Sequence, residues 1–422
     1  MSKKLKILCL FDYDSYTGFA TVSKNIKKEI KGYYGDNIQL DICAINYFGD
    51  PYHEADGTYV CSAVKSAPKK DDFGRYGFLK ILNDSNEYDG IFIMQDLGVI
   101  VPVIQILRHI KEKKKRENKK NFKSIFYFPV DCQMIDVFVN DLEFFDCIVS
   151  YTEYGRNEIL RLRPELKGKI KVVPHGNNNK EFYPITWCDI YPFREEYFGK
   201  NANKFIITNV NRNQPRKDIP TTIFAFIEAK KRWKEEGLTS EPFLYLHMNP
   251  KDPLGWDIRA LMKFTDLVEN VDYKLLDNEY VDKGASVEML NKIYNASDLY
   301  LTTTLGEGWG LTLTEAMATK KPIICPLSTS FIEMTNNGSR VYGCENLIPI
   351  CGTNDNIIRK QCDLYEVADN IIHVAKGMDG QLDDIGFMDN YYNRIDKSYE
   401  YVKSLDWKEV CKTWINYFKE TY

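Results

Sequence analysis

Residues 302–326 read TTTLGEGWGLTLTEAMATKKPIICP, and the rest of the chain is best read outward from them. The opening threonines end a short apolar run that begins at Asp298. Gly306-Glu307-Gly308-Trp309-Gly310 then makes a tight turn, in which glycines permit positive φ and close approach of a ligand to the backbone. From Leu311 the residues predict a helix to about Lys320. The start of such a helix presents unpaired N–H groups and the positive end of its dipole, a setting that favours a diphosphate. Glu307 lies in the turn. Glu315 lies on the helix, about 6 Å further along the axis than Leu311 at a rise of about 1.5 Å per residue. Two carboxylates so placed each accept hydrogen bonds from paired hydroxyls, which sugars and riboses offer. The plainer reading is an ordinary strand, turn and helix with two surface glutamates.

The same rhythm extends in both directions. Runs at 204–210, 243–248, 298–303 and 322–326 read as buried strands, with helices predicted over 220–236, 287–295 and 311–320. Further back, strand-like runs at 5–11, 39–45, 90–94, 124–129, 146–150 and 170–174 alternate with helical stretches at 19–31 and 101–115. These runs are short, β-branched or aromatic, and bounded by polar or turn residues. Alternation of this kind means an α/β fold with mostly parallel sheets. Two Rossmann-like halves are expected, 1–184 and 185–398, facing each other across a cleft and binding ligands at the carboxyl ends of their strands. The tail, 399–422, carries Tyr401, Leu405, Trp407, Val410, Trp414 and Tyr417 at amphipathic spacing. It is expected to be a packing helix that returns to the first half.

Composition narrows the function classes. The chain has 422 residues, 44% hydrophobic and 27% charged, which supports a folded core. A formal net charge of −4 gives no general pull toward nucleic acid or anionic membranes. The apolar run at 5–11 is too short for a secretory signal, and no stretch is long enough to span a bilayer, so a cytoplasmic location is expected. The 11 cysteines are scattered, without a CxxC or Cys/His cluster, and read as reduced core thiols. The basic run 111–123 reads first as a solvated helix end. Its sharper reading is a patch for an anionic acceptor such as nucleic acid or lipid headgroups.

Glu307 and Glu315 are separated by seven residues, and the phrases Glu-Gly-Trp-Gly-Leu and Glu-Ala-Met-Ala surround them. This stretch resembles the E-x7-E signature of retaining glycosyltransferases of the GT-B type, particularly family 4. Other parts line up in order. Residues 205–218 (FIITNVNRNQPRKD) are similar to a family segment whose arginine and lysine grip the donor diphosphate, and these fall on Arg212 and Lys217. A guanidinium fork and an ammonium point charge both suit phosphate oxygens. Asn211 departs from the family's usual glycine. Residues 14–20 (DSYTGFA) resemble the family's glycine loop, although only Gly18 stands where many members have two glycines. His175 lies in a phrase similar to the family's interdomain segment and is expected to be structural. Asp131 lies where members place a polar residue near the transferring sugar, and is either a base or sugar contact on the acceptor side or a strand-end cap.

The resemblance implies glycosyl transfer from a nucleotide-diphosphate sugar to an acceptor hydroxyl, with anomeric configuration retained and no cofactor beyond that co-substrate. Arg212, Lys217, Glu307 and Asp131 are the catalytic candidates. Gly18, Arg212, Lys217, Glu307, Gly308, Trp309, Gly310, Leu311 and Glu315 are the donor-binding candidates, with Glu315 on the ribose and Glu307 on the transferred sugar. No metal is expected. Asp12-Tyr13-Asp14 superficially matches a DxD metal motif but sits in the first strand-to-loop connection. The acceptor stays open among glycan, lipid, small molecule and nucleic acid. Alternatives are a nucleic-acid-modifying transferase, an epimerase, or a non-transferring nucleotide-sugar binding protein of the same fold.

Overall fold

A computed structural model describes residues 4–15, 17–65, 71–351, 357–378 and 385–422. The chain divides into two units, one made of 1–176 with 405–422 and the other of 177–404.

In the first unit the apolar runs become strands β1 (Leu5–Asp12), β2 (Ile38–Ile45), β3 (Tyr52–His53), β4 (Tyr59–Ser62), β5 (Gly90–Met94), β6 (Lys123–Phe128), β7 (Cys147–Ser150) and β8 (Ile170–Val172). They form one sheet in the order β3-β4-β2-β1-β5-β6-β7-β8. All neighbours pair in parallel except β3 with β4. Parallel strands are covered on both faces, which is why Ile7 through Phe11 form an unbroken buried apolar run. The helix Gly18–Tyr34 follows β1. Thr17 caps it by accepting the Ala20 N–H at 3.1 Å, and Ala20, Val22, Ser23, Ile26, Lys27 and Ile30 make its buried face.

The C-terminal tail is two helices rather than one. Ile385–Ser404 ends the second unit, and Trp407–Thr421 belongs to the first. Between them Asp406 accepts the Lys408 N–H and starts the new helix. Trp414 is fully enclosed, its ring centroid 5.1 Å from Phe92 and 4.8 Å from Tyr127. Tyr422 donates to the Ile91 carbonyl at 2.7 Å. Its ring occupies the space beside Gly90, where a Cβ would lie 2.0 Å from a ring carbon, so β5 begins with a residue that has no side chain.

The second unit repeats the pattern with β9 (Phe205–Val210), β10 (Pro242–His247), β11 (Tyr273–Leu275), β12 (Leu299–Leu301), β13 (Ile323–Pro326) and β14 (Tyr342–Cys344), in the order β11-β10-β9-β12-β13-β14, all parallel. A separate antiparallel hairpin joins β15 (Leu347–Cys351) to β16 (Ile358–Cys362). The chain leaves β9 for β10 and β11 on one side, then crosses to β12 on the other. The order therefore reverses between β9 and β12, and a crevice opens beyond their carboxyl ends.

Boundaries differ from the sequence reading at identifiable contacts. The units part at Gly176, ahead of the division at 184/185, because residues 177–185 are fastened to the second unit. The backbone N–H groups of Tyr183 and Ile185 donate to the side chains of Asn291 (3.2 Å) and Asn295 (2.7 Å), and the Phe182 ring meets that of Tyr294. The tail divides at 405 instead of 399. The predicted strand 298–303 stops at Leu301, since the Thr303 and Thr304 hydroxyls turn to the carbonyls of Asp218 and Arg216. The predicted helix 311–320 stops at Ala318, where Lys320 adopts φ +57°. The strands β3, β4, β11 and β14 were not expected, because each is short and no longer apolar run surrounds it. Among the described residues no helix is long and apolar enough to cross a membrane.

Candidate functional site

The crevice between β9 and β12 is lined by the loops that follow those strands. After β12 the chain turns through Gly306–Gly310 into the helix Leu311–Ala318. Gly310 has φ +97°, and a Cβ there would lie 2.4 Å from the Phe331 ring, so both conformation and space require glycine. Its carbonyl accepts the N–H groups of Leu313 (3.0 Å) and Thr314 (3.3 Å), which opens the helix. Residues 329 and 330 fasten the turn: Thr329 Oγ1 accepts the Glu307 N–H at 3.0 Å, and Ser330 Oγ donates to the Trp309 carbonyl at 3.1 Å. Gly308 and Trp309 are buried, whereas Gly310 and Leu311 are partly open.

The loop after β9 supplies cations. Lys217 Nζ lies 2.5 Å from Glu307 Oε1, and Arg216 Nη1 lies 3.0 Å from Glu307 Oε2. Arg216 also donates to the Gly306 carbonyl, while its own carbonyl accepts the Leu305 N–H at 2.8 Å. Thr304 Oγ1 donates to Glu307 Oε1 at 2.8 Å. Burial pushes the Glu307 carboxyl up, but the adjacent Arg216 and Lys217 charges outweigh it and hold it at about 2. The two loops are thus one electrostatic unit across 90 residues of sequence.

Glu315 sits in a different environment. Tyr294 Oη donates to its Oε2 at 2.8 Å, and the surrounding protein pushes the carboxyl up to about 7, aided by the negative charge of Glu181 and opposed by the Tyr294 bond. The two glutamates of one motif therefore differ in protonation: Glu307 is ionised at any physiological pH, and Glu315 titrates near neutrality.

Of the sequence candidates, Lys217 and Glu307 are brought into contact. Arg212 is turned to Asp252, its Nε 3.0 Å from Oδ2, and its side chain is 56% exposed. The expected charge contributed by Arg212 is thus balanced locally, and the cation joined to Glu307 beside Lys217 is Arg216. Sequence reasoning passed over Arg216 because it aligned only the motif positions; its adjacency to Lys217 was the available signal. Asn211 needs no glycine-like backbone, since it is absent from the residues with positive φ. Its side chain donates to Asn209 Oδ1 (2.7 Å) and Thr302 Oγ1 (3.3 Å), tying β9 to β12.

In the first unit, Asp12 ends β1. Its carboxylate accepts Ser15 Oγ (2.6 Å), Thr17 Oγ1 (2.5 Å) and Asn46 Nδ2 (3.2 Å), which shapes the loop leading to the exposed Gly18. Tyr16 of that loop lies outside the described residues. Among the described residues no group of three or more His, Cys, Asp or Glu is set to hold a metal. Asp131 follows β6 and is partly exposed. His175 is buried among aromatic rings, with Tyr127 Oη 2.9 Å from Nδ1, and burial pushes it down to about 3. It acts as a packing group. The basic run is largely spent on neighbours: Lys111 and Lys123 pair with Asp146, Lys119 with Glu117, and Lys120 with Asp89.

No family model matches the chain. A probable sucrose-phosphate synthase of Thermosipho melanesiensis is 27% identical over 243 residues, which are 55% of this chain and 50% of that one. The chain spans half the length of that relative. Among solved structures, a sucrose-phosphate synthase of Thermosynechococcus elongatus superposes with a TM-score of 0.68 at 15% identity, over 99% of this chain and 98% of its own. The chain has the GT-B fold. The Anabaena protein HepE in complex with UDP-glucose shares this GT-B fold, with a TM-score of 0.63 at 14% identity over 99% of this chain and all of its own.

Proposed function

We propose that the chain is a glycosyltransferase that moves a sugar from a nucleotide-diphosphate donor to an acceptor hydroxyl with retention of configuration. The observation that carries this reading is the Glu307–Arg216–Lys217 cluster beside the helix opening at Gly310, in the β9/β12 crevice. The cluster joins cations for a diphosphate to a carboxylate for sugar hydroxyls. The likeness to sucrose-phosphate synthases and to HepE with UDP-glucose supports the reading and makes a UDP-hexose the first donor to test.

In this mechanism the bond between the anomeric carbon and the β-phosphate oxygen breaks, and the acceptor oxygen bonds to the same carbon. Lys217, Arg212 and the N–H groups from Gly310 onward stabilise the charge that builds on the departing diphosphate, the kind of preorganised electrostatics that commonly dominates such rates. Gly308, Trp309 and Leu311 shape the turn and helix start that receive it. Glu315 holds the ribose hydroxyls and Glu307 those of the transferred sugar. The first unit, 1–176 with 405–422, takes the acceptor, with Asp131 receiving the acceptor's proton. The second unit, 177–404, takes the donor. All eleven cysteines are free thiols, which supports action in the reducing cytoplasm.

Thermal unfolding with a panel of UDP-, GDP-, ADP-, CMP- and dTDP-sugars tests the donor reading. A donor at about 100 times its Kd adds about 2.7 kcal/mol. The expected result is stabilisation by one nucleotide class, lost in Lys217→Ala and Glu315→Ala. No response from the wild type to any nucleotide sugar overturns it.

A further inference from the structure

We infer that Cys43 and Cys61 are a peroxide-reactive thiol pair that closes to a disulfide, with Cys61 the attacking sulfur and Cys43 the resolving one. This does not depend on the donor-site reading. Cys43 lies on β2 and Cys61 on β4, and the two are partners in the parallel register of those strands. Register partners face the same side of a sheet, and neighbouring strands lie about 4.7–4.9 Å apart, inside the Cα spacing of about 4.4–6.8 Å that a disulfide spans. The two Sγ atoms are already 3.9 Å apart. Closing them to a bonding distance of about 2.05 Å needs side-chain rotation and a small approach of the strands. β4 has room for that, because β3 pairs only with Tyr59 and Val60 and leaves the Cys61 edge open. Cys9, on the neighbouring β1, pairs in register with Ile42 and so leaves by the opposite face.

The two thiols are not equivalent. Cys43 is fully enclosed, whereas Cys61 is 6% exposed, so a molecule as small as peroxide meets Cys61 first. The Cys43 S–H donates to the Cys61 sulfur, which favours the Cys61 thiolate and lowers its pKa against the pull of burial. The same bond, with burial, pushes the Cys43 thiol well up. An accessible sulfur with thiolate character beside a resolving thiol is the arrangement that oxidises selectively. In the first step the Cys61 thiolate attacks one peroxide oxygen, the O–O bond breaks, and hydroxide leaves, giving a sulfenic acid on Cys61. In the second the Cys43 sulfur attacks the Cys61 sulfur, the S–O bond breaks, and the hydroxyl departs with the Cys43 proton as water. Two thiols and one hydrogen peroxide thus become one disulfide and two waters. Ser62, next to Cys61, donates to the Tyr47 carbonyl at 2.6 Å, and the Ala63 N–H donates to Ala44 at 3.0 Å. The disulfide adds a covalent tie between these same two segments.

Hydrogen peroxide is added to the folded full chain, the remaining thiols are alkylated, and peptides are mapped without reduction. The expected result for the wild type is a Cys43–Cys61 crosslinked peptide pair that has lost two hydrogens and separates again in dithiothreitol. In Cys43→Ser, which lacks the resolving sulfur, the sulfenic acid stays on Cys61 and is trapped by dimedone. In Cys61→Ser, Cys43 takes no dimedone. The crosslink map needs only the wild type, so it decides the matter even where a buried serine unfolds a variant. The inference is overturned if peroxide leaves Cys43 and Cys61 unlinked in the folded protein, or if they link only in denaturant. It is equally overturned if dimedone labels Cys43 in Cys61→Ser as strongly as Cys61 in Cys43→Ser.

Discussion

The loop after β12 carries the carboxylate Glu307, held by Lys217 at 2.5 Å and Arg216 at 3.0 Å. The loop after β1, in the other unit, carries the carboxylate Asp12, held by Ser15 at 2.6 Å, Thr17 at 2.5 Å and Asn46 at 3.2 Å. Both carboxylates are buried, and both close a loop at the carboxyl end of a parallel sheet. Their partners differ. Charged partners drawn from a second loop tie the two loops together through a buried ion-pair cluster. Neutral hydroxyls and an amide satisfy the oxygens but leave the loop with the carboxylate's own negative charge. The first arrangement joins two loops of the crevice and the second clasps one loop, although each looks like a lone acidic residue after a strand.

The largest expected effect breaks this comparison if it fails. Lys217→Ala should lower transfer by about 10²- to 10³-fold, as removal of a charge-stabilising donor does, in a steady-state assay with the responding nucleotide sugar. Asp12→Asn, run beside it, should leave nucleotide binding at the wild-type level. Equal losses in the two variants would mean that the Asp12 loop also serves the donor.

Next in size is Asp131→Asn, with about a 10²-fold loss of transfer expected for a residue that takes a proton in the reaction. Its nucleotide-induced thermal shift should stay at the wild-type value, which separates an acceptor-side role from a donor-side one. A lost shift would move Asp131 to the donor.

Glu315 gives a pH dependence. Its carboxyl is raised to about 7 from an ordinary 4.5, chiefly by burial. If ribose hydroxyls require the ionised form, nucleotide affinity should rise about tenfold between pH 6 and 8, following the ionised fraction, and Glu315→Gln should bind weakly with no slope. The unliganded protein should show the opposite trend. Because the folded state holds this proton more tightly than the unfolded one, the stability Glu315 contributes is fully present below pH 4.5 and is lost as pH rises through 7. Glu307 has the reverse sign: its folded value is about 2, so its contribution is present above 4.5 and declines as pH falls toward 2. Denaturant melts across this range read both.

The smallest effect sharpens the clasp. Thr17 both donates to Asp12 and caps the helix Gly18–Tyr34. Thr17→Ala should cost about 1 kcal/mol in chemical denaturation, with nucleotide binding unchanged.

Much of the architecture was legible in the residues themselves. The run 90–94 coincides with β5, and the helix predicted over 287–295 is Val287–Asn295, because the first is a continuous apolar run, the second has a helical period, and both have polar ends. The Gly306–Gly310 turn was equally legible, since Gly310 is required both by its φ of +97° and by the Phe331 ring against it. The short strands β11 and β14 were not, because Lys274 and Gly343 leave each with only two apolar residues.

The sequence by itself determined the alternation of strands and helices, the glycine turn, and the placing of Glu307 and Glu315 on a turn and a helix. These follow from forces between residues a few positions apart: side-chain periodicity, backbone freedom at glycine, and the geometry of one helical turn. Only the tertiary structure decided that Arg216 joins Lys217 on Glu307, that Asp252 holds Arg212, and that Tyr294 holds Glu315. The same holds for Trp407–Thr421, whose place beside β5 and β6 depends on Trp414 meeting Phe92 and Tyr127. Such contacts join residues distant in the chain. They exist only once packing has set β9 beside β12 and β1 beside β5, and no local pattern records that order.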